Sequence, residues 1–306
     1  MHNDKKEIVK EEKNLNIDST DKTPQINESR RFLRVFFGRP FTIFGFIVVV
    51  IFILTALLPG ILAPYDPIET DLGNTLAPPS RAHLLGTDTL GRDLLSRLIY
   101  GTRTAALVGL AALSIAAISG MLLGLTAGYF SGVIGMFIMR FVDALMVFPM
   151  ILLAMAIASF LGGGLVNVMI AVGIGMISGY ARVMFAQSIS VKENDYILAS
   201  RSLGANNLRI MFRHVFPNCF PVMIVMITMN IGITILAEAG LSFLGIGIEP
   251  PTPAWGAMVN EGYPYLVSYP LLSFVPGVAI MLVVFAFNMV GDSLRDAIDP
   301  RLRGTV

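Results

Sequence analysis

Uncharged, apolar stretches alternate with short polar ones along most of this chain. Residues 42–62, 104–139, 144–181, 215–237 and 262–291 contain no Asp, Glu, Lys or Arg. A helix needs about 20 apolar residues to cross a hydrocarbon core of roughly 30 Å, so even the shortest run suffices for one crossing. The run 144–181 is long enough for two, and its GGGLVN segment at 162–167 supplies a turn. The pattern predicts six transmembrane helices, near 42–62, 104–127, 136–160, 166–187, 217–241 and 271–291.

With six spans both termini lie on one side of the membrane. That side holds 18 of the 22 Lys and Arg residues, which makes it cytoplasmic. The other four, Arg81, Arg92, Arg97 and Arg103, sit among five acids between the first two spans. Composition agrees: 55% of residues are hydrophobic and 14% charged, against about 25% charged in ordinary globular chains. The reading is an all-α membrane protein. Residues 1–29, polar and aperiodic, are expected to form a disordered cytoplasmic tail, and 30–306 the transmembrane domain. A cleavable signal peptide is not expected, because the first apolar run is long enough to span. Cys219, the only cysteine, lies in an apolar run and is read as a packing residue.

Several features refine the spans. Ala112, Ala116, Gly120, Gly124, Gly128 and Gly132 recur every fourth residue, a small-residue stripe suited to close helix packing. In the outer segment 64–103, Leu90, Leu94, Leu95, Leu98 and Ile99 predict an interfacial amphipathic helix with Asp93 and Arg97 paired on its polar side. The Pro-rich stretch before it predicts an ordered loop. Trp255 in the last outer loop suits the aromatic belt, and Arg140 with Asp143 suggests a local ion pair. Residues 292–299 read as a solvated helix end. Glu238, near the outer end of the fifth span, is either a hydrogen-bonded structural acid or a residue on the translocation path.

The chain has no phosphate loop, no H-E-x-x-H and no G-x-S-x-G. Asp66 and Asp292 loosely echo the acids of an intramembrane protease, but the predicted topology puts them on opposite faces, too far apart to share a proton. Nor does the sequence show the mid-membrane ionisable groups or inverted repeat expected of an ion-coupled transporter.

Between the fourth and fifth spans lies DYILASRSLGANNLRIMFRHVFPN, residues 195–218, polar and basic. Asp195 can cap a helix of two turns, Gly204 suits the left-handed position at its end, and Asn206 can cap a second helix running to Pro217. The cytoplasmic helices thus fall within 190–216. Tyr196, Ala199, Ser200 and Leu203 share one face, a knob shaped for a groove on another protein. Arg201 and Arg209 are placed for polar contacts.

At these residues the chain resembles the permease subunits of ATP-binding-cassette importers. Their signature E-A-A, three residues, Gly, nine residues, I-x-L-P is matched in spacing by Leu198-Ala199-Ser200, Gly204 and His214 to Pro217. Leu198 stands in place of the acid and Ser200 in place of the second alanine. Residues 85–105, 213–218, 241–256 and 291–304 resemble the peptide/nickel branch, and within it the C-type permeases of dipeptide and oligopeptide systems. The resemblance implies a type I importer fold in a bacterial or archaeal cytoplasmic membrane. It implies a second homologous permease, two cytoplasmic ATPase subunits that use ATP and Mg, and an extracytoplasmic substrate-binding protein. This chain would be non-catalytic, bind no cofactor or metal and meet no nucleic acid. Short peptides are the implied substrate, with nickel chelates or glutathione-like thiols as alternatives. The segment from Asp195 to Gly204 would be the contact with the ATPase, moved as a rigid body.

Overall fold

A computed structural model of the chain describes residues 28–298. They form helices α1 (Glu28–Phe36), α2 (Pro40–Leu57), α3 (Leu94–Phe130), α4 (Gly132–Met146), α5 (Met150–Leu161), α6 (Leu165–Lys192), α7 (Asp195–Ser202), α8 (Phe216–Phe243), α9 (Trp255–Gly262) and α10 (Leu271–Ile298), with shorter turns between them. A turn at Asn207–Ile210 and a π turn at Met211–Val215 lead into α8, making one continuous helix Asn207–Phe243. No strand occurs among the described residues.

α2, α3, α6, the Asn207–Phe243 helix and α10 are each long and apolar enough to cross a membrane. The third predicted span is bent: α4 and α5 meet at 87° across a break ending at Pro149, and count as one crossing only if taken together. Proline lacks the N–H that would continue the ladder, which accounts for the break at that position.

The small-residue stripe is the seam between α3 and α6. A Cβ on Gly120 would lie 2.6 Å from the Tyr180 Cβ, on Gly124 2.2 Å from the Ala181 oxygen, and on Gly128 2.6 Å from the Ser188 Cβ. The ascending order of both partners makes α3 and α6 parallel. Gly132 is not part of the stripe; with φ +54° it forms the turn into α4. Val108, Ala112, Val172, Tyr180, Met184 and Met223 build one core between α3, α6 and α8. Phe52, Trp255, Val283 and Phe287 build a second around α2, α9 and α10. Cys219 is fully buried in the first.

α8 and α10 run antiparallel, Gly232 against Val284 and Gly291 against Met229. Arg39 pairs with Asp296 at 3.1 Å, and the Thr42 and Ser293 hydroxyls meet at 2.5 Å. The start of α2, the ends of α3, α6 and α10, and the start of α8 therefore share one end of the bundle.

Several sequence expectations are corrected. The interfacial helix is the first turns of α3, continuous with the span, because Asp93 caps Ser96 N–H at 2.8 Å and no breaker follows. Its polar side is buried instead of wetted: Arg97 lies 3.3 Å from both Asp88 and Glu261 and does not pair with Asp93. Arg92 joins the same acids at 2.6 and 3.0 Å, so the loop before α3 is fastened to α9. Trp255 is not in a belt; it is buried against Gly101, its Nε1–H donating to the Leu98 carbonyl at 3.0 Å. Asp143 pairs with Arg182 of α6 and not with Arg140, since α4 lies against α6. Asp292 and Asp296 are half-buried under α1 instead of solvated, and Asp299 falls outside the described residues. Most of the predicted 1–29 tail is also outside them, but Glu28 and Ser29 already belong to α1.

Candidate coupling hairpin

α6 has 28 residues, about 42 Å of helix against a hydrocarbon core of roughly 30 Å. Its N-terminal end is held by the Gly164 N–H donating to the Gly247 carbonyl at 3.0 Å, so the excess length falls at the C-terminal end. Its last turns, from Arg182 onward, read RVMFAQSISVK, a change from apolar to polar sequence. α7 hangs from that projecting end.

α7 runs from Asp195 to Ser202, so the N-cap is Asn194 and Asp195 is the first helical residue. An acid there still favours the helix, because its charge meets the positive end of the macrodipole. Asn194 instead closes the preceding helix, its amide donating to the Val191 carbonyl at 2.9 Å. Gly204 adopts φ +84°, a left-handed conformation that a side chain resists, and the Ala205 N–H returns to the Ser200 carbonyl at 3.2 Å. Asn206 caps the next turn, accepting from the Arg209 N–H at 2.8 Å. The π turn then precedes Pro217, and the chain enters the membrane without another corner.

One side of α7 anchors it. Ile197 is buried, in the same core as Ile210, Met211 and Met184. Two polar ties complete the anchorage. The Tyr129 hydroxyl at the end of α3 donates to Asn207 Oδ1 at 2.8 Å, and Lys192 Nζ donates to the Tyr129 carbonyl at 2.6 Å and to Ser131 Oγ at 3.1 Å. α3 has no basic residue in its own last turn, so Lys192 supplies the cation that its negative end favours.

The opposite side is open. Tyr196, Ala199 and Leu203 are exposed, Leu203 at 88%, while Ser200 is half-buried with its hydroxyl donating to the Tyr196 carbonyl at 2.8 Å. Arg201 and Arg209 are exposed and make no ion pair among the described residues. Leu198, 64% exposed, and Leu208, 61% exposed, extend this apolar surface. The face assigned by i, i+3, i+4 spacing omitted both; the signal was their position on either side of a left-handed glycine, where two faces converge.

Glu238 is separate from the hairpin. It is 1% exposed, its carboxylate accepts from Ser242 Oγ at 2.7 Å, and that oxygen accepts from the Ile248 N–H at 3.1 Å. The acid thus braces the turn after α8.

A bundle of apolar helices thus ends, on one side, in a glycine-cornered hairpin with an exposed apolar face. Residues 120–304 match the family described as binding-protein-dependent transport system inner membrane component, and 29–79 match the N-terminal TM domain of oligopeptide transport permease C. The chain is 41% identical over 287 residues to the glutathione transport system permease protein GsiD of Pectobacterium atrosepticum, covering 94% of both chains. It is 43% identical over 265 residues to the di/tripeptide transport system permease protein DppC of Pseudomonas aeruginosa, covering 85% of this chain and 88% of the relative. The dipeptide transport system permease protein DppC of Alkalihalophilus pseudofirmus is 41% identical over 261 residues, 85% of this chain and 86% of that one. This chain belongs to the binding-protein-dependent inner membrane components, the multi-pass permease subunits of ATP-binding-cassette importers.

Proposed function

We propose that this permease forms half of the translocation pore of a short-peptide importer, paired with a second homologous permease, its termini cytoplasmic. Two ATPase subunits grip α7, and an extracytoplasmic binding protein delivers the peptide. ATP and Mg are bound by those partners; this chain carries out no hydrolysis. Relatives named for dipeptide, di/tripeptide and glutathione transport share one chemistry, a short backbone of amides with charged ends.

The observation that carries the coupling role is the exposure of Leu203 and Leu198 on a segment standing beyond the bilayer. This chain leaves them uncovered, which fits a groove on a partner protein. In this reading Tyr196, Ala199, Ser200 and Leu203 fill the groove, Arg201 and Arg209 contact its polar rim, Gly204 fixes the corner and Asp195 stabilises the helix start. Closure of the ATPase pair displaces α7, and Asn207–Phe243 transmits that displacement across the membrane as a continuous helix. Glu238 holds the outer end of that helix to the loop beyond it.

The test is uptake of a labelled dipeptide by vesicles holding the whole complex. Uptake that survives collapse of the proton gradient and stops on ATP depletion is expected. Uptake that follows the gradient instead would overturn the proposal.

A further inference from the structure

α1 is too short and too polar to span, yet it is strongly amphipathic. Its sequence ESRRFLRVF places Arg30, Arg31 and Arg34 by register within one arc of about 100°, with Phe32 and Phe36 opposite. It is not a continuation of α2. Residues 36 and 46 would stand about 15 Å apart on one helix, but the Phe36 and Phe46 rings are 6.3 Å apart and the Phe37 and Phe46 rings 5.3 Å. The chain therefore folds back at Gly38–Arg39, and α1 packs against α10. Phe36 is buried and stacks on Phe32 at 5.8 Å.

The depth of α1 follows from its neighbours. Arg39 is the last charged residue before α2, whose 18 uncharged residues span about 27 Å, close to the hydrocarbon thickness. Asp296, its partner, lies five residues past the end of the uncharged run of α10. α1 thus lies at the edge of the apolar slab, at the same end of the bundle as α7. Leu33 at 53%, Phe37 at 36% and Phe41 at 67% are exposed there, beside the exposed Arg34.

We propose that α1 is an anionic-lipid-binding helix of the cytoplasmic leaflet, with the exposed Arg34 on phospholipid headgroups and Leu33, Phe37 and Phe41 in the acyl boundary. A basic arc beside exposed leucine and phenylalanine at headgroup depth is the pattern that binds such a surface. Because α1 contacts α10 and the start of α2, bound lipid holds the inner ends of both spans together. This inference is independent of what the permease carries.

The test uses the assembled complex in vesicles with Cys219→Ala and Leu33→Cys carrying an environment-sensitive fluorophore, and Phe160→Cys as a reference at the outer end of α5. Brominated phosphatidylcholine is expected to quench the probe at 33, and brominated phosphatidylglycerol to quench it more strongly, relative to the reference. R30Q/R31Q/R34Q should abolish that preference, roughly fivefold per arginine at low salt, while phosphatidylcholine quenching persists. A probe that neither lipid quenches, one shielded only when the ATPase subunits are present, or a headgroup preference unchanged in the triple variant would overturn the proposal.

Discussion

Tyr129 and Asn207, 78 residues apart in sequence, are joined by one hydrogen bond of 2.8 Å from the phenol to the amide oxygen. Tyr129 lies in the last turn of α3 and Asn207 begins the helix that leads from the hairpin into the membrane. Lys192, at the end of α6, holds the same tyrosine by its carbonyl. Three helix ends therefore meet on one aromatic residue, and in the proposed coupling a displacement of α7 would act on all of them together.

Replacing Tyr129 by Phe removes the bond and keeps the packing. The expected loss of stability is about 1 kcal/mol, with the complex still assembling. Peptide-stimulated ATP hydrolysis should fall by a larger factor than basal hydrolysis, as measured in the reconstituted complex. Equal rates for variant and parent would show that the tie carries no mechanical load.

Gly204→Val asks a β-branched residue to hold φ +84°. A left-handed conformation costs about 1–2 kcal/mol for such a residue, so the hairpin should relax and stimulation by peptide should drop. Gly204→Asn, which tolerates the left-handed region better, should retain most of it. No atom lies near the added Cβ, so steric clash does not confuse the result.

Gly124→Ala tests the α3–α6 seam. Its new methyl would start 2.2 Å from a backbone oxygen, and overpacking of this kind costs about 1–3 kcal/mol or more. Lower thermal stability in detergent is expected, and a Gly132→Ala control at the open turn should not share its steric part.

On the outer side, Arg97→Met leaves Asp88 and Glu261 with one guanidinium between them. Removing one partner from a buried ionic group costs about 3 kcal/mol, so the loop 64–93 should become sensitive to protease while the spans stay intact. Arg97→Lys should recover only part, since a point charge cannot serve both acids as a planar fork does.

Much of this was readable in the chain. The spans follow from uncharged length alone, because each must exceed the bilayer thickness whatever it packs against. The hairpin was legible from Asn206 and Gly204, whose roles are local: a cap accepting from an N–H three residues on, and a backbone conformation that side chains resist. Contacts set by distant partners were not. Asp93 and Arg97 have the spacing of a helical pair, yet Asp93 is consumed in capping and Arg97 turns to Glu261, 164 residues away. Trp255 has the composition of an interface residue, and only the bare face of Gly101 admits it to the interior. Glu238 offered two readings in sequence, and its bond from Ser242 one helical turn on is a contact that sequence spacing alone did not single out.

The most direct measurement is site-specific cross-linking in the assembled, membrane-embedded complex, with Cys219→Ala and a single cysteine at Leu203 or, for comparison, at the exposed Val133 in the first turn of α4. A short bifunctional reagent should join position 203 to the ATPase subunit and leave position 133 free. Cross-links at 133 with none at 203 would place the motor on another loop and contradict the account.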